Sequence, residues 1–293
     1  MLNVSATNAP SKFFCNPEPN WTQGFATYGG YVAAAAYRAA RLDGHRRPLL
    51  SAQINFLAPA PEHGFHIEIC ELRVGKGTSV IEASVLTNAS KNQKIVSKII
   101  FTMGLPRESR LNVYKELGQP EFFELQRLRD QVPDAPQTTG IIPVFMQHFQ
   151  LRTLINGIPF SNEASTDHVW AFRSKFDLNE LDLGELALLF SDISPPPQLM
   201  MMPTPSPASS ASWMITLEQQ EVTFSKDDWF YVIMALDTAR NGYGSHSSAL
   251  LDKNGQLFSS NRQITTSFEK NLGGSRIKKV ASQISFQARL GLS

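Results

Sequence analysis

Residues 29–42, GGYVAAAAYRAARL, limit what this chain can fold into more than any other segment. Alanine is the strongest helix former because it loses no side-chain freedom, Thr27 stands where an N-cap belongs, and Gly44 follows the run. A helix lying on a surface shows one apolar stripe and one polar back. Here alanine occupies several faces at once, which permits close approach from several sides. The spacing predicts a helix buried at the centre of a sheet that wraps it.

The flanking segments supply strands for that sheet. A loop rich in aromatic residues and proline, FFCNPEPNW, precedes the helix, and four strand candidates follow it: LLSAQINFL, FHIEICELRV, TSVIEASVLT and KIVSKIIFTM. APAPEHG, GKG and NASKNQ separate them with turn chemistry, so the order is one long helix and then an antiparallel meander. The same order recurs. A polar connection with a helix candidate at EFFELQRLRDQ leads to the strands HFQLRTL and HVWAFRSKF and to a second helix, LGELALLFSDI, stopped by Pro195, Pro196 and Pro197. Residues 198–212, QLMMMPTPSPASSAS, read as a loop, either a lid over an apolar cavity or plain surface. Strands resume in SWMITLEQQEVTF, WFYVIMALDT, SHSSALL and QLFSSNRQITTSF.

The punctuation RVGKG (73–77) and RNGYG (240–244) aligns the two parts, pairing Phe56 with Phe224, Arg73 with Arg240, Gly75 with Gly242, Gly77 with Gly244 and Asn92 with Asn254. The chain is therefore read as two copies of one α+β fold, residues 1–105 and 146–293, joined by 106–145. Chance recurrence of R-x-G-x-G is the alternative, and the shared element order argues against it.

Composition excludes several functions. A formal charge of +1 over 293 residues gives no basic field for a phosphate backbone, so no nucleic acid partner is expected. Cys15 and Cys70 have no metal-ligand spacing, the start carries no basic stretch leading into an apolar run, and no segment approaches the roughly 20 apolar residues of a membrane span. A reduced, cytoplasmic protein is expected. The six histidines are dispersed without H-E-x-x-H spacing, so no metal is implied, and the serine elbow G-x-S-x-G is absent.

GGYVAAAAYRAA, followed by INFLAPAP and ELRVGKG, resembles the N-terminal half of the double hotdog acyl-CoA thioesterases of the thioesterase II type. LLFSDISPPP, VTF and DKNGQLFSSNRQ resemble the C-terminal half. The resemblance covers nearly the whole chain apart from the connection. It implies a double hotdog, two antiparallel sheets each wrapped around a central helix, with the site formed between halves. It also implies hydrolysis of acyl-CoA or acyl carrier protein thioesters in an apolar slot, no bound cofactor, and a homo-oligomer.

Thioester hydrolysis needs a donor for the developing oxyanion and a group that orients or deprotonates water. Gly29 and Gly30 at the helix start offer backbone N–H groups and the positive dipole end, or else serve close packing, and Tyr28 precedes them in the expected substrate-binding set. In the repeat Gln263 aligns with Phe101, an amide where the twin is apolar, and its place in NGQLFSSNRQ matches the glutamine that the family uses to bind water. The family acid falls on Gln219, which cannot act as a base. The family threonine falls on Asp237, with Thr238 next to it, and alternation lets only one of them face the pocket unless a bulge intervenes. Asp237 would restore a carboxylate or lie solvated beside Arg240. Asp192, after the second helix, is a further candidate acid or a helix-end turn residue. The loss of the family acid also motivates a second reading, an acyl-thioester binding protein without turnover.

Overall fold

A computed structural model describes residues 1–88, 92–111, 113, 117–135, 142–219 and 222–268; parts of the expected connection and of NASKNQ, and residues 269–293 of the second half, lie outside them. In chain order the elements are β1 (Val4–Ala6), β2 (Lys12–Cys15), β3 (Thr22–Gln23), β4 (Ala26–Thr27), α1 (Gly29–Leu42), β5 (Leu49–Phe56), β6 (Phe65–Val74), β7 (Thr78–Thr87) and β8 (Ile95–Gly104). There follow α2 (Gln119–Gln131), a 3-10 turn (Val144–His148), β9 (Phe149–Ile155), β10 (Asp167–Ser174), α3 (Leu183–Ser191), α4 (Gln198–Met201), β11 (Ala208–Leu217), β12 (Phe230–Arg240), β13 (Tyr243–Leu251) and β14 (Leu257–Ser267).

The architecture is α+β, as expected, but the strands do not divide into two sheets. β5 hydrogen-bonds to β11, and this seam joins the halves into one twelve-stranded antiparallel sheet in the order β1-β2-β6-β7-β8-β5-β11-β14-β13-β12-β10-β9. Two exposed sheet edges would each leave a row of unpaired backbone groups, and pairing them satisfies both. FFCNPEPNW holds a strand as well as a loop, since β2 pairs with β6 and extends the sheet. Residues 198–212 are likewise not all loop: the short helix α4 opens them and β11 begins at Ala208.

The duplication is written in the β-bulges. A single extra residue interrupts the ladder at Leu50 in β5 and at Ala211 in β11, at Leu72 in β6 and Asp237 in β12, and at Val96 in β8 and Phe258 in β14. Three bulges in matching places set the equivalence without reference to residue type. Phe101 faces Ala52 and Ile81 across its neighbours, as Gln263 faces Trp213 and His246, so the pairing of Phe101 with Gln263 agrees with the ladder. The R-x-G-x-G pairing does not: Arg73 corresponds to Thr238 rather than Arg240, and Phe56 to Leu217 rather than Phe224. RNGYG is a two-residue hairpin with Asn241 and Gly242 both at positive φ, whereas RVGKG closes through a bond from Gly75 N–H to the Thr78 carbonyl.

The alanine-rich segment is the buried helix α1, with Ala33 to Ala36, Ala39 and Ala40 fully enclosed. It packs on β6, β7 and β8, while α3 packs on β11, β13 and β14. The helices run antiparallel against each other: the Tyr28 hydroxyl at the start of α1 donates to the Leu189 carbonyl near the end of α3, at 2.8 Å. At the other end Arg38 grips Glu185 through two bonds of 2.7 and 2.6 Å, and Glu185 is only 3% exposed. Asp182 caps α3 in a reciprocal capping box with Glu185.

Candidate active site

The last turn of α3 delivers Asp192 to the first turn of α1. One carboxylate oxygen accepts from the Gln263 side-chain amide at 3.0 Å, and the Gly30 backbone N–H also donates to the carboxylate. A Cβ added at Gly29 would sit 2.7 Å from Asp192 Oδ2 and 3.2 Å from the Phe56 ring, so only glycine lets the carboxylate rest on that turn. The positive end of the α1 dipole favours an anion there. Burial works the other way and prevails, pushing the Asp192 carboxyl up to about 6 although the bonds from Gln263 and Gly30 pull it down. The group is thus ionised at neutral pH and far more basic than a surface aspartate.

Gln263 lies in the interior of β14, and both ends of its amide are engaged: Nε2 donates to Asp192, and Oε1 accepts from Ser210 Oγ at 3.3 Å. Its cross-strand neighbours are Trp213 on β11 and His246 on β13. The Trp213 indole in turn donates to Asn261 Oδ1 at 3.0 Å, and Ser191 is bonded to Ser259 at 2.7 Å, which ties the end of α3 to β14. Tyr28 forms an aromatic wall beside the carboxylate, stacked on Phe145 with ring centroids 3.8 Å apart. Burial, aided by the charge on Asp192, pushes its phenol well above the usual range, so it stays neutral.

The structure therefore brings together Gln263, Asp192, Gly29, Gly30 and Tyr28, with groups from both halves. It places three other candidates elsewhere. Asp237 is the extra residue of the β12 bulge, exposed, and bonded to Arg262 at 3.2 Å and Ser247 at 3.3 Å. Arg262 adjoins Gln263 in the strand and points to the opposite face, so Asp237 lies on the outside of the sheet. Thr238 is exposed and pairs with Ser245, on that same outer face. Counting back from the hairpin without the bulge puts Asp237 opposite the inward His246, whereas Leu236 holds that place and the extra residue returns Asp237 to the outer face. Gln219 lies beyond β11, where its amide donates to Asp252 at 3.3 Å and to the Leu257 carbonyl at 3.1 Å and braces the β13–β14 turn. Ser210 and His246 were not singled out in the sequence. Ser210 fell in the segment read as loop, and the signal for His246 was a buried position in register with Gln263, visible only once the ladder is known.

A carboxylate of raised basicity, fixed by an amide and lying against a helix N-terminus, can take a proton from water beside a polarised carbonyl. Residues 17–104 match the model of the acyl-CoA thioesterase N-terminal domain, and residues 127–266 match that of the C-terminal domain. The chain belongs to the acyl-CoA thioesterase family. Among solved structures, this thioesterase-family chain is similar to a hot dog fold protein of unknown function from Alicyclobacillus acidocaldarius (18% identity, 92% of this chain and 96% of that one, TM-score 0.73). It is also similar to the acyl-CoA thioesterase II TesB2 of Mycobacterium marinum (12%, 92% and 96%, 0.67) and to the tesB protein of Mycobacterium avium subs paratuberculosis (13%, 91% and 96%, 0.65). At these identities the likeness concerns the hotdog fold. Comparison with curated proteins finds no match.

Proposed function

We propose that this acyl-CoA thioesterase family member hydrolyses acyl thioesters with Asp192 as general base. The observation that carries the reading is the contact of Asp192 with both Gln263 and the first turn of α1, which joins an acid, an amide and a helix N-terminus drawn from two halves. In the reaction, water held by Asp192 and Gln263 loses a proton to Asp192 as its oxygen bonds to the thioester carbon. The carbonyl oxygen, now negative, faces the Gly29 N–H and the dipole of α1. When the tetrahedral intermediate collapses the carbon–sulfur bond breaks, and the proton on Asp192 passes to the departing thiolate. Coenzyme A or an acyl carrier protein supplies the thiol, and the acyl chain lies against the apolar side chains between the halves.

Free thiol release from a panel of acyl-CoA esters tests this. Gln263→Ala should lower kcat by about 100-fold, the scale of losing one group that orients the reacting atoms. Tight binding of every ester with no thiol released would instead favour the reading without turnover. Because Asp237 lies on the outer face, Asp237→Ala should keep kcat/KM within about threefold of the parent. A collapse there would move the centre to the other side of the sheet.

A further inference from the structure

RVGKG (73–77) belongs to a corner of the molecule that the chemistry at Asp192 does not use. From Cys70 to Val74 every residue of β6 is exposed, and the ladder with β2 stops at Glu68, so this strand end meets solvent on both faces and along one edge. The hairpin beyond it gathers cations from three segments. Arg47, before β5, donates to Ser79 Oγ at 2.7 Å and to the Lys76 carbonyl at 3.3 Å. After β8, the Leu105 N–H donates to the Gly77 carbonyl at 3.0 Å, and the Arg107 guanidinium lies against Gly77, where a Cβ would come within 2.7 Å of it. Arg73 is on β6 itself, its Nε 3.9 Å from where a Cβ on Gly75 would stand, and Arg46 precedes Arg47.

Among the described residues none of Arg46, Arg47, Arg73, Lys76 and Arg107 has a carboxylate partner, whereas Lys12, Lys98, Arg127, Arg152 and Arg262 elsewhere each have one. Two acids stand nearby: Glu71 lies 3.6 Å from His45, and Glu108 follows Arg107 in the chain. Apolar side chains are exposed among the cations, Leu72 at 51%, Val74 at 53% and Leu105 at 49%. The twin half shows that the ladder requires none of this. By the register of the bulges Leu72 corresponds to Asp237, Arg73 to Thr238 and Val74 to Ala239. Charges guard a bare sheet edge against pairing with another chain, but guarding gives no reason to expose leucine and valine between them.

We infer that this hairpin end docks on an anionic lipid bilayer, with the cations on the phosphate headgroups and Leu72, Val74 and Leu105 entering the boundary of the acyl layer. The docking does not depend on the chemistry at Asp192. A free phosphate would answer the charges alone, and a neutral bilayer the apolar side chains alone; an anionic bilayer answers both. The three apolar side chains stand between charges on two separate segments, a distribution that a fluid layer accommodates without a matching surface. Charge draws the tip to the headgroups, and burial of leucine and valine holds it there.

Co-sedimentation of the full-length protein with vesicles tests the docking surface. Vesicles of equal parts phosphatidylcholine and phosphatidylglycerol should carry the protein down at low ionic strength and release it as salt rises, and vesicles of phosphatidylcholine alone should not carry it. Arg73→Gln and Lys76→Gln should each weaken binding about fivefold, the worth of one charge near such a surface. Leu72→Ser and Leu105→Ser should each weaken it about tenfold while leaving the affinity for soluble polyglutamate unchanged. All four side chains are exposed, so each variant should melt with the parent, and Val74→Thr replaces a leucine variant that does not. Failure to sediment with the mixed vesicles, or equal recovery with both kinds, overturns the inference, as does parental lipid affinity in the double variant Arg73→Gln/Lys76→Gln. Polyglutamate bound as tightly as the mixed vesicles, with neither responding to Leu72→Ser, would overturn it in favour of an acidic protein.

Discussion

Asp192→Asn should reduce kcat for acyl-CoA hydrolysis by about 1000-fold while leaving a cooperative melt, because the variant keeps the shape of the side chain and removes only its basicity. The pH profile is the sharper test. With the carboxyl raised to about 6, log kcat should climb with pH below that value and level off above it. Gln263→Leu, which deletes a bond that pulls the carboxyl down, should shift the inflection upward. Stability should carry the opposite sign. The folded state holds the Asp192 proton more tightly than the unfolded chain, whose value is near 3.8. The stability this group contributes is complete below that value and is lost as pH rises through about 6. Measured against Asp192→Asn, the parent should therefore lose melting temperature across the interval in which it gains activity. A flat rate profile, or full activity in the variant, would remove Asp192 from the chemistry.

Arg38→Met should be the costliest single change outside the site, lowering stability by about 3–5 kcal/mol, the usual penalty for leaving a buried charge without its partner. Glu185 is 3% exposed, and burial already pushes its carboxyl up against the opposing pull of Arg38. Removing the guanidinium leaves desolvation unopposed at the contact between α1 and α3. For a chain of this size the melting point should fall by on the order of 10 °C. Adding Glu185→Leu should recover much of the loss, less about 1 kcal/mol for the capping box that Glu185 shares with Asp182. If the single variant melts with the parent, the helix pair is held by packing alone.

How legible the molecule was depended on how far each signal is local. α1 was readable because alanine on every face suits little besides a helix enclosed on all sides, and β6 and β7 begin and end where FHIEICELRV and TSVIEASVLT do. β2 spans only Lys12–Cys15, too short for alternation to register, and Ala208–Ser212 has low strand propensity that pairing with β14, joined by β5 only at Ser212, overrides. Gln263 stood out because its twin is phenylalanine, a comparison that needs no coordinates. Asp192 could be noticed but not placed, since its partners come from α1 and β14, remote in sequence. Asp237 was misassigned by the bulge it occupies: one extra residue reverses every facing beyond it, and a linear count cannot detect that.

The seam between β5 and β11 has an evolutionary corollary. Two identical subunits docked edge to edge must change both copies of a position together, so a buried amide that suits one centre is imposed on its mirror image as well. Covalent fusion lifts that obligation. Phe101 can then fill space in one repeat while Gln263 in the other meets Asp192, and on the proposed reading the tandem arrangement leaves the first repeat to architecture and the second to chemistry.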